Sequence, residues 1–226
     1  MVIHLPHLIR YPVSVLMFLF WSVLVRGFYQ SETIDRIVAV VNDQVITLID
    51  IRIVEAFALY EDIGQDSEER ASLILDRLID QKLVIQLSPE NITVSQSELD
   101  EYQVMLTERV GEQKVKKVLE ELGLQWADLR SYLREKILFQ KIIFQRFGQT
   151  AVVSLEEIEE YYQRRYLPAQ KAKGQEPQPM MEMLVEIESI IRENKIERRI
   201  QDWLRNLRRQ ADIQIKVKDL NKYFKS

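Results

Sequence analysis

The chain has 226 residues, of which 46% are hydrophobic and 29% are charged, and its formal net charge is −4 at pH 7. This length allows one ordinary domain or two small ones, and the composition is that of a globular protein. The chain has no cysteine, and its two histidines are His4 and His7. Beyond them, disulfide frameworks, Cys/His zinc sites and histidine-dependent nucleophilic catalysis are excluded. The acidic balance argues against nucleic acid as a partner.

The N-terminal segment has the features of a secretion signal. Residues 11–25 are uncharged and mostly apolar, and Arg10 and Arg26 flank them. This run is shorter than the about 20 residues that a membrane-spanning helix needs, and it fits the apolar region of a signal peptide. We expect residues 1–27 to be a signal peptide and the protein to be periplasmic. The alternative is an uncleaved segment that anchors the protein in the inner membrane, facing the periplasm, as its one contact with a membrane.

The predicted elements after the signal begin with a β-hairpin. Two short β-branched runs, residues 34–41 and 44–46, flank a turn at Asn42-Asp43, which is a typical hairpin pattern. Thr47 then predicts the N-cap of a helix that extends to about Tyr60.

Helices are predicted to fill the centre of the chain. Capping boxes at Ser95 and Ser154, and glycines after apolar stretches, mark the starts and ends of several of them. The predicted helices are residues 68–87, 96–110, 112–122, 125–147 and 155–168. The first of these is apolar on nearly all sides, which predicts that it is the most buried helix.

The last part of the chain predicts a linker, a helix and a strand. Residues 168–179 contain no large apolar side chain, which is typical of a solvated linker. Residues 181–211 are predicted to be helical with a break near Asn194, and residues 213–217 alternate as a half-buried strand does. Because a lone strand needs a partner, we expect it to pair with the N-terminal hairpin. The predicted fold is therefore mainly α with a small β-sheet.

The order of these segments resembles the SurA family of periplasmic chaperones. The resemblance covers roughly residues 34–217. Its motifs are the strand-forming run 34–47, the Arg-Leu-Ile-x-x-x-Leu helix at Arg77–Leu83, and Trp-Leu-x-x-Leu-Arg at Trp203–Arg208. It implies one helical chaperone core, made of an N-terminal part at residues 28–167 and a C-terminal helix and strand at residues 181–226. The linker at residues 168–180 then stands where the family inserts a parvulin-type prolyl isomerase domain.

The chain departs from the family at this linker. A parvulin domain needs on the order of 100 residues, and parvulin active sites carry histidines, which this chain lacks after His7. Although family members are peptidyl-prolyl isomerases, we therefore expect no catalytic residues and no enzymatic activity. We also expect no metal and no cofactor, ATP included.

The resemblance implies a holdase, which binds unfolded polypeptides such as outer-membrane or secreted proteins and keeps them from aggregating. Adaptable Met and aromatic side chains suit such a surface. The client-binding candidates are Met105, Tyr161, Tyr162, Tyr166, Met180, Met181 and Met183. Packing in a core is the competing interpretation for Tyr162 and Tyr166, and it stays open for Met180, Met181 and Met183. The alternative function is an envelope adaptor or scaffold that binds one folded partner.

Overall fold

The computed structural model describes residues 35–60, 67–148, 151–217 and 219–224, and the predicted signal peptide lies outside them. The fold is mainly α-helical with one small antiparallel sheet, which confirms the predicted class. The strands are β1 (Ile37–Val41), β2 (Gln44–Thr47) and β3 (Ile213–Ile215). The helices are α1 (Leu48–Ala56), α2 (Ser67–Gln86), α3 (Gln96–Val110), α4 (Glu112–Leu122), α5 (Trp126–Phe147), α6 (Leu155–Tyr161), α7 (Leu167–Ala172) and α8 (Met180–Gln210).

The N-terminal hairpin and the C-terminal strand share one sheet, as predicted. The strand order is β2-β1-β3, and β1 pairs antiparallel with both neighbours, so that Ala39 lies opposite Ile215. Asn42 makes the hairpin turn with a φ of 55°, a left-handed conformation that asparagine tolerates. Its backbone N–H donates to the Asp212 carbonyl at 2.7 Å. The turn itself is therefore held by the C-terminal strand.

Helix α2 lies at the centre of the main core, in agreement with its nearly continuous apolar surface. It contacts β1, β2, α1, α5 and α8. Ile74, Leu78 and Ile79 on this helix are at most 2% exposed. The buried amide of Gln81 is satisfied by the Tyr60 hydroxyl, which donates to it at 2.6 Å, and by Glu135. A central helix can thus carry a polar side chain because neighbouring segments supply its partners.

Helix α8 is continuous over 31 residues, so the predicted break near Asn194 is wrong. The Asn194 side-chain amide donates to the Ile190 carbonyl at 2.7 Å, which keeps this residue inside the helix. An ion pair between Arg192 and Glu188, one turn apart, supports the same segment. At 1.5 Å per residue the helix is about 46 Å long, which lets it pack in two separate regions.

Two predicted helix ends also differ from the structure. Helix α1 ends at Ala56 rather than near Tyr60, because the chain turns at Ala58, with a φ of 43°, and buries Leu59. The helix that follows Ser154 does not end at Pro168. A π-helical turn, Tyr162–Tyr166, leads from α6 into α7, and Pro168 lies in the first turn of α7, where a missing N–H is tolerated. The first part of the predicted linker is thus helical, and its remaining residues 173–179 are exposed.

Candidate functional site

The described chain has two packing regions that share helix α8. The main core contains the sheet and α1 to α5, and the second half of α8 adds Leu204 against Val84 and Ile142. The other region, which we call the arm (residues 151–191), consists of α6, the π-helical turn, α7 and the first half of α8. The buried centre of the arm is formed by Ile158, Tyr162, Met183, Ile187 and Ile191. Within α8, the residues 192–203 between the two regions are all at least partly exposed.

A pair of charged side chains fixes the start of the arm to the middle of α8. The Lys195 ammonium donates to the Val152 carbonyl at 2.7 Å and lies 2.5 Å from the Glu157 carboxylate. The backbone N–H of Ser154 also donates to Glu157, which closes the capping box of α6. The hydrogen bond from Lys195 is the main reason that the pKa of Glu157 is below its usual range. The entry to the arm is thus held by side chains that α8 provides.

The structure brings most of the candidate residues together in the arm. Tyr162 and Met183 lie in its buried centre, and Tyr161, Tyr166 and Met180 pack around it. The rings of Tyr162 and Tyr166 stack at 5.3 Å with an interplanar angle of 22°. The Tyr162 hydroxyl donates to the Gln178 carbonyl at 2.7 Å, and the Gln178 N–H donates to the Tyr166 hydroxyl. Tyr162 and Tyr166 therefore pack in the arm and hold the end of the linker. This agrees with the alternative interpretation of these two residues, packing in a core.

The methionines do not form one exposed group. Met181 is 72% exposed, whereas Met183 is 5% exposed. Of the methionines after the linker, Met181 is thus accessible, whereas Met183 packs in the centre of the arm. The reason is helical geometry, because Met183 and Ile187 lie one turn apart on the face of α8 that packs on Ile158 of α6. Met105 is 57% exposed and lies on α3, outside the arm.

The arm presents apolar side chains to solvent on its outer surface. Met181 and Val185 lie one turn apart on α8, and Val185 is 80% exposed. Near the start of the arm, Val152 and Leu155 are 83% and 58% exposed. Large exposed apolar side chains of this kind are typical of surfaces that bind another chain.

A groove in the main body was not predicted from the sequence. It lies between the end of α2, the loop that follows it, the end of α5 and the second half of α8. Its volume is about 430 Å³, and its lining residues are Leu87, Pro89, Ile92, Ile142, Gln145, Arg146 and Trp203. A second open groove of about 530 Å³ shares Arg146 and Trp203 with the first and continues to Phe147, Arg199, Asp202 and Asn206. We call the two together the Trp203 groove.

Trp203 lies between the two halves of this groove and contacts side chains from α5. The edge of its ring meets Phe147, with centroids 5.4 Å apart and an interplanar angle of 60°. The guanidinium carbon of Arg146 lies 4.7 Å from the Trp203 ring centroid, which is a cation–π contact. The indole and the guanidinium thus form one fixed unit at the centre of an apolar groove. The sequence places Trp203 on an apolar helical stripe, but the other walls come from distant segments and carry no local signal.

The described residues contain neither a candidate metal site nor a candidate membrane-spanning helix. Among these residues, no group of three or more Asp, Glu, His or Cys side chains could hold a metal ion. The described helices also include none that is both long and apolar enough to cross a membrane.

Comparison with known proteins relates the chain to chaperones. No family model matches it. It is similar to proteins named Chaperone SurA from Legionella pneumophila: that of strain Paris is 25% identical over 139 residues, and that of strain Lens is 24% identical over the same length. The match covers 58% of this chain and 32% of those proteins, so the chain spans about a third of the length of the curated relatives it matches. The similarity supports a SurA-like relationship at the level of the family.

Proposed function

We propose that the protein is an ATP-independent periplasmic holdase that binds unfolded outer-membrane or secreted polypeptides. The observation that carries this proposal is the similarity of more than half of the chain to proteins named as chaperones. A holdase acts by reversible binding, which lowers the concentration of free unfolded chains and so slows their aggregation. Such binding needs accessible apolar surface and no chemical step.

Three places in the part of the chain that the structure describes offer apolar surface for this role. The Trp203 groove provides a concave wall, Met181 and Val185 provide a convex patch on the arm, and Met105 is exposed on α3. Among the predicted client-binding residues, we assign direct contact to Met105 and Met181. Tyr161, Tyr162, Tyr166, Met180 and Met183 act in this proposal by packing the arm on which Met181 stands.

We further propose that the protein binds its clients without isomerising their prolyl bonds. The support for this part is the sequence, since no histidine follows His7 and residues 168–180 are too few for a parvulin domain. In this proposal the arm and the main body form one chaperone core, and residues 1–27 direct it to the periplasm.

The function is tested by aggregation assays with several unrelated unfolded clients, among them an outer-membrane β-barrel precursor. We expect the purified protein to delay aggregation of each client, at stoichiometric concentrations and without ATP. An envelope adaptor would behave differently: it would retain one folded protein in a pull-down and leave the aggregation of unrelated clients unchanged. That second result would overturn the proposal.

A further inference from the structure

The Trp203 groove contains a cation that no carboxylate of the described chain neutralises. The guanidinium of Arg146 contacts the rings of Trp203 and Phe147, at 4.7 and 5.8 Å. Among the described residues, it contacts these two rings, and no Asp or Glu lies within ion-pair distance of it. It lines the groove beside these rings, and the described residues supply no counter-charge for it.

The charge of the groove lining is positive, in contrast to the whole chain. Its lining includes the unneutralised Arg146, and the carboxylate among its lining residues is Asp202. That carboxylate already forms an ion pair with Arg205 on the same helix. The whole chain has a formal net charge of −4. A ligand that fits the groove therefore gains from a negative charge near Arg146.

The rest of the lining is apolar and concave. Leu87, Ile92 and Ile142 line this part of the groove together with Trp203, and its volume is about 430 Å³. This volume is in the range of pockets that bind small ligands, so it admits a few side chains of an extended segment rather than a folded surface. Arg146 itself is exposed, so a charge–charge contact with it is weak and screened by salt.

We propose that the Trp203 groove selects extended segments of unfolded polypeptides in which an apolar side chain stands next to an Asp or Glu. The apolar side chain occupies the wall of Leu87, Ile92 and Ile142, and the carboxylate accepts hydrogen bonds from Arg146. This inference rests on the proposed holdase function and adds a rule of client selection to it. It predicts that acidic residues beside apolar ones promote binding, although the chaperone itself is acidic.

Fluorescence anisotropy with short labelled peptides tests this selection. Two peptides carry the same apolar run and neutral ends, and they differ by Glu or Gln at the position next to that run. We expect the Glu peptide to bind the protein about fivefold more tightly at low salt, the effect of one partly exposed ion pair. The preference should decrease as salt is added, because salt screens the contact.

Two arginine substitutions locate the effect. Arg146→Gln should abolish the preference, so that the Glu and Gln peptides bind this variant with equal affinity. Arg165→Gln is the matched control, since Arg165 is an exposed arginine on the π-helical turn, away from the groove; it should retain the full preference. If Arg146→Gln does not fold, Arg146→Lys keeps the charge and should keep the sign of the preference.

Several outcomes would overturn the inference. Equal affinities of the Glu and Gln peptides for the unmodified protein would do so, and so would equal losses in the Arg146 and Arg165 variants. A third peptide has Gln beside the apolar run and a free C-terminal carboxylate, so it tests whether Arg146 binds a chain terminus instead of a Glu side chain. If this peptide alone binds more tightly than the Gln peptide with neutral ends, the proposal is also rejected. If the protein suppresses aggregation but does not prefer the Glu peptide, only the selection rule is rejected. If it neither suppresses aggregation nor prefers the Glu peptide, the holdase function is rejected as well.

Discussion

The Tyr132 hydroxyl donates a 2.7 Å hydrogen bond to Oδ1 of Asp50, and this contact joins helix α5 to the first turn of α1. Oδ2 of the same carboxylate accepts a 2.7 Å hydrogen bond from the backbone N–H of Thr47, which closes the capping box of α1. Burial raises the pKa of Asp50 above its ordinary value, although the hydrogen bonds from Thr47 and Tyr132 lower it. One carboxyl group therefore serves both a helix cap and a contact between helices.

Replacement of Tyr132 by Phe should lower the free energy of unfolding by about 1.5–3 kcal/mol at neutral pH, because a partly buried charged group loses a donor. The folded-state pKa of Asp50 is raised, so the folded protein favours the protonated carboxyl group. The contribution of Asp50 to the stability of the fold is therefore complete below its unfolded pKa, and it is lost as the pH rises through its folded pKa. Loss of the Tyr132 donor raises that folded pKa further. The cost of Tyr132→Phe should consequently decrease as the pH falls from neutral toward about 4.

Urea unfolding of both proteins over this pH range measures the effect. Tyr223→Phe is the control, because the Tyr223 hydroxyl makes no hydrogen bond to the described residues, and it should change stability by less than about 0.5 kcal/mol. A cost of Tyr132→Phe that is the same at acid and neutral pH would contradict the assigned role of Asp50.

Local sequence signals predicted the elements of this fold well, and the contacts between distant segments much less so. The capping boxes at Ser95 and Ser154 are present as predicted, since each depends on residues three positions apart. The pairing of β3 with the hairpin could be predicted because an isolated strand requires a partner.

The Trp203 groove and the burial of Met183 could not be predicted in this way. Helical spacing shows which side chains share a face, but it does not identify the helix that covers this face. Met183 is buried because α6 folds back on α8, and Trp203 lines a groove because α5 ends beside it. Both facts depend on how elements far apart in the sequence pack together.

Strand β3 offers a comparison between two proline substitutions. The Asp212 carbonyl accepts from the N–H of Asn42, just after β1, and the Lys216 N–H donates to the Val38 carbonyl of β1. Because a strand alternates, the N–H of Gln214 points toward β1 and that of Ile215 points away from it. Gln214→Pro should cost about 1–3 kcal/mol, because it leaves a carbonyl of β1 without its donor. Ile215→Pro should cost clearly less. Thermal unfolding measures both, and equal losses would contradict the observed register.

Arg208 links the second half of α8 to α2 through three hydrogen bonds. Its Nε donates to Asp80 at 2.6 Å, and its terminal nitrogens donate to the carboxylate and the carbonyl of Asp76 at 3.0 and 2.7 Å. Arg208→Ala should destabilise the protein by about 2–4 kcal/mol, because Asp80 stays buried without its cation.

Arg205→Ala is the matched control for this contact. Arg205 pairs with Asp202 on the surface of α8, where both side chains are 65% exposed. Its loss should cost less than about 0.5 kcal/mol. Chemical denaturation compares the two variants, and a similar, small effect of both would show that Arg208 does not hold α8 on α2.

The proposed lack of isomerase activity predicts that the protein does not accelerate cis–trans exchange of a prolyl peptide. Uncatalysed exchange takes tens to hundreds of seconds at 25 °C, so it can be followed directly. The rate with the protein at micromolar concentration should equal the rate without it, and a parvulin serves as the positive control. A clear acceleration that is removed by heat inactivation of the protein would show that the chain carries an isomerase site.

The two neighbouring methionines of the arm should respond in opposite ways to substitution. Met183→Ser should destabilise the arm by about 2–4 kcal/mol, because it opens a cavity and places a hydroxyl in the buried cluster with Ile187. The double substitution of Met181 and Val185 by Ser should change stability by less than about 0.5 kcal/mol, since both side chains are exposed. The double variant should nevertheless bind an unfolded β-barrel precursor more weakly, because it removes apolar contact area.

Substitution of Glu182 and Glu186 by Ser is the control for this double variant, because both residues are exposed on the same part of α8 and neither is apolar. It should leave client binding unchanged at moderate salt. Stability is measured by urea unfolding, and binding by the concentration of protein that halves the aggregation rate of the precursor. If the Met181 and Val185 variant protects the precursor as well as the unmodified protein does, the outer surface of the arm does not bind clients.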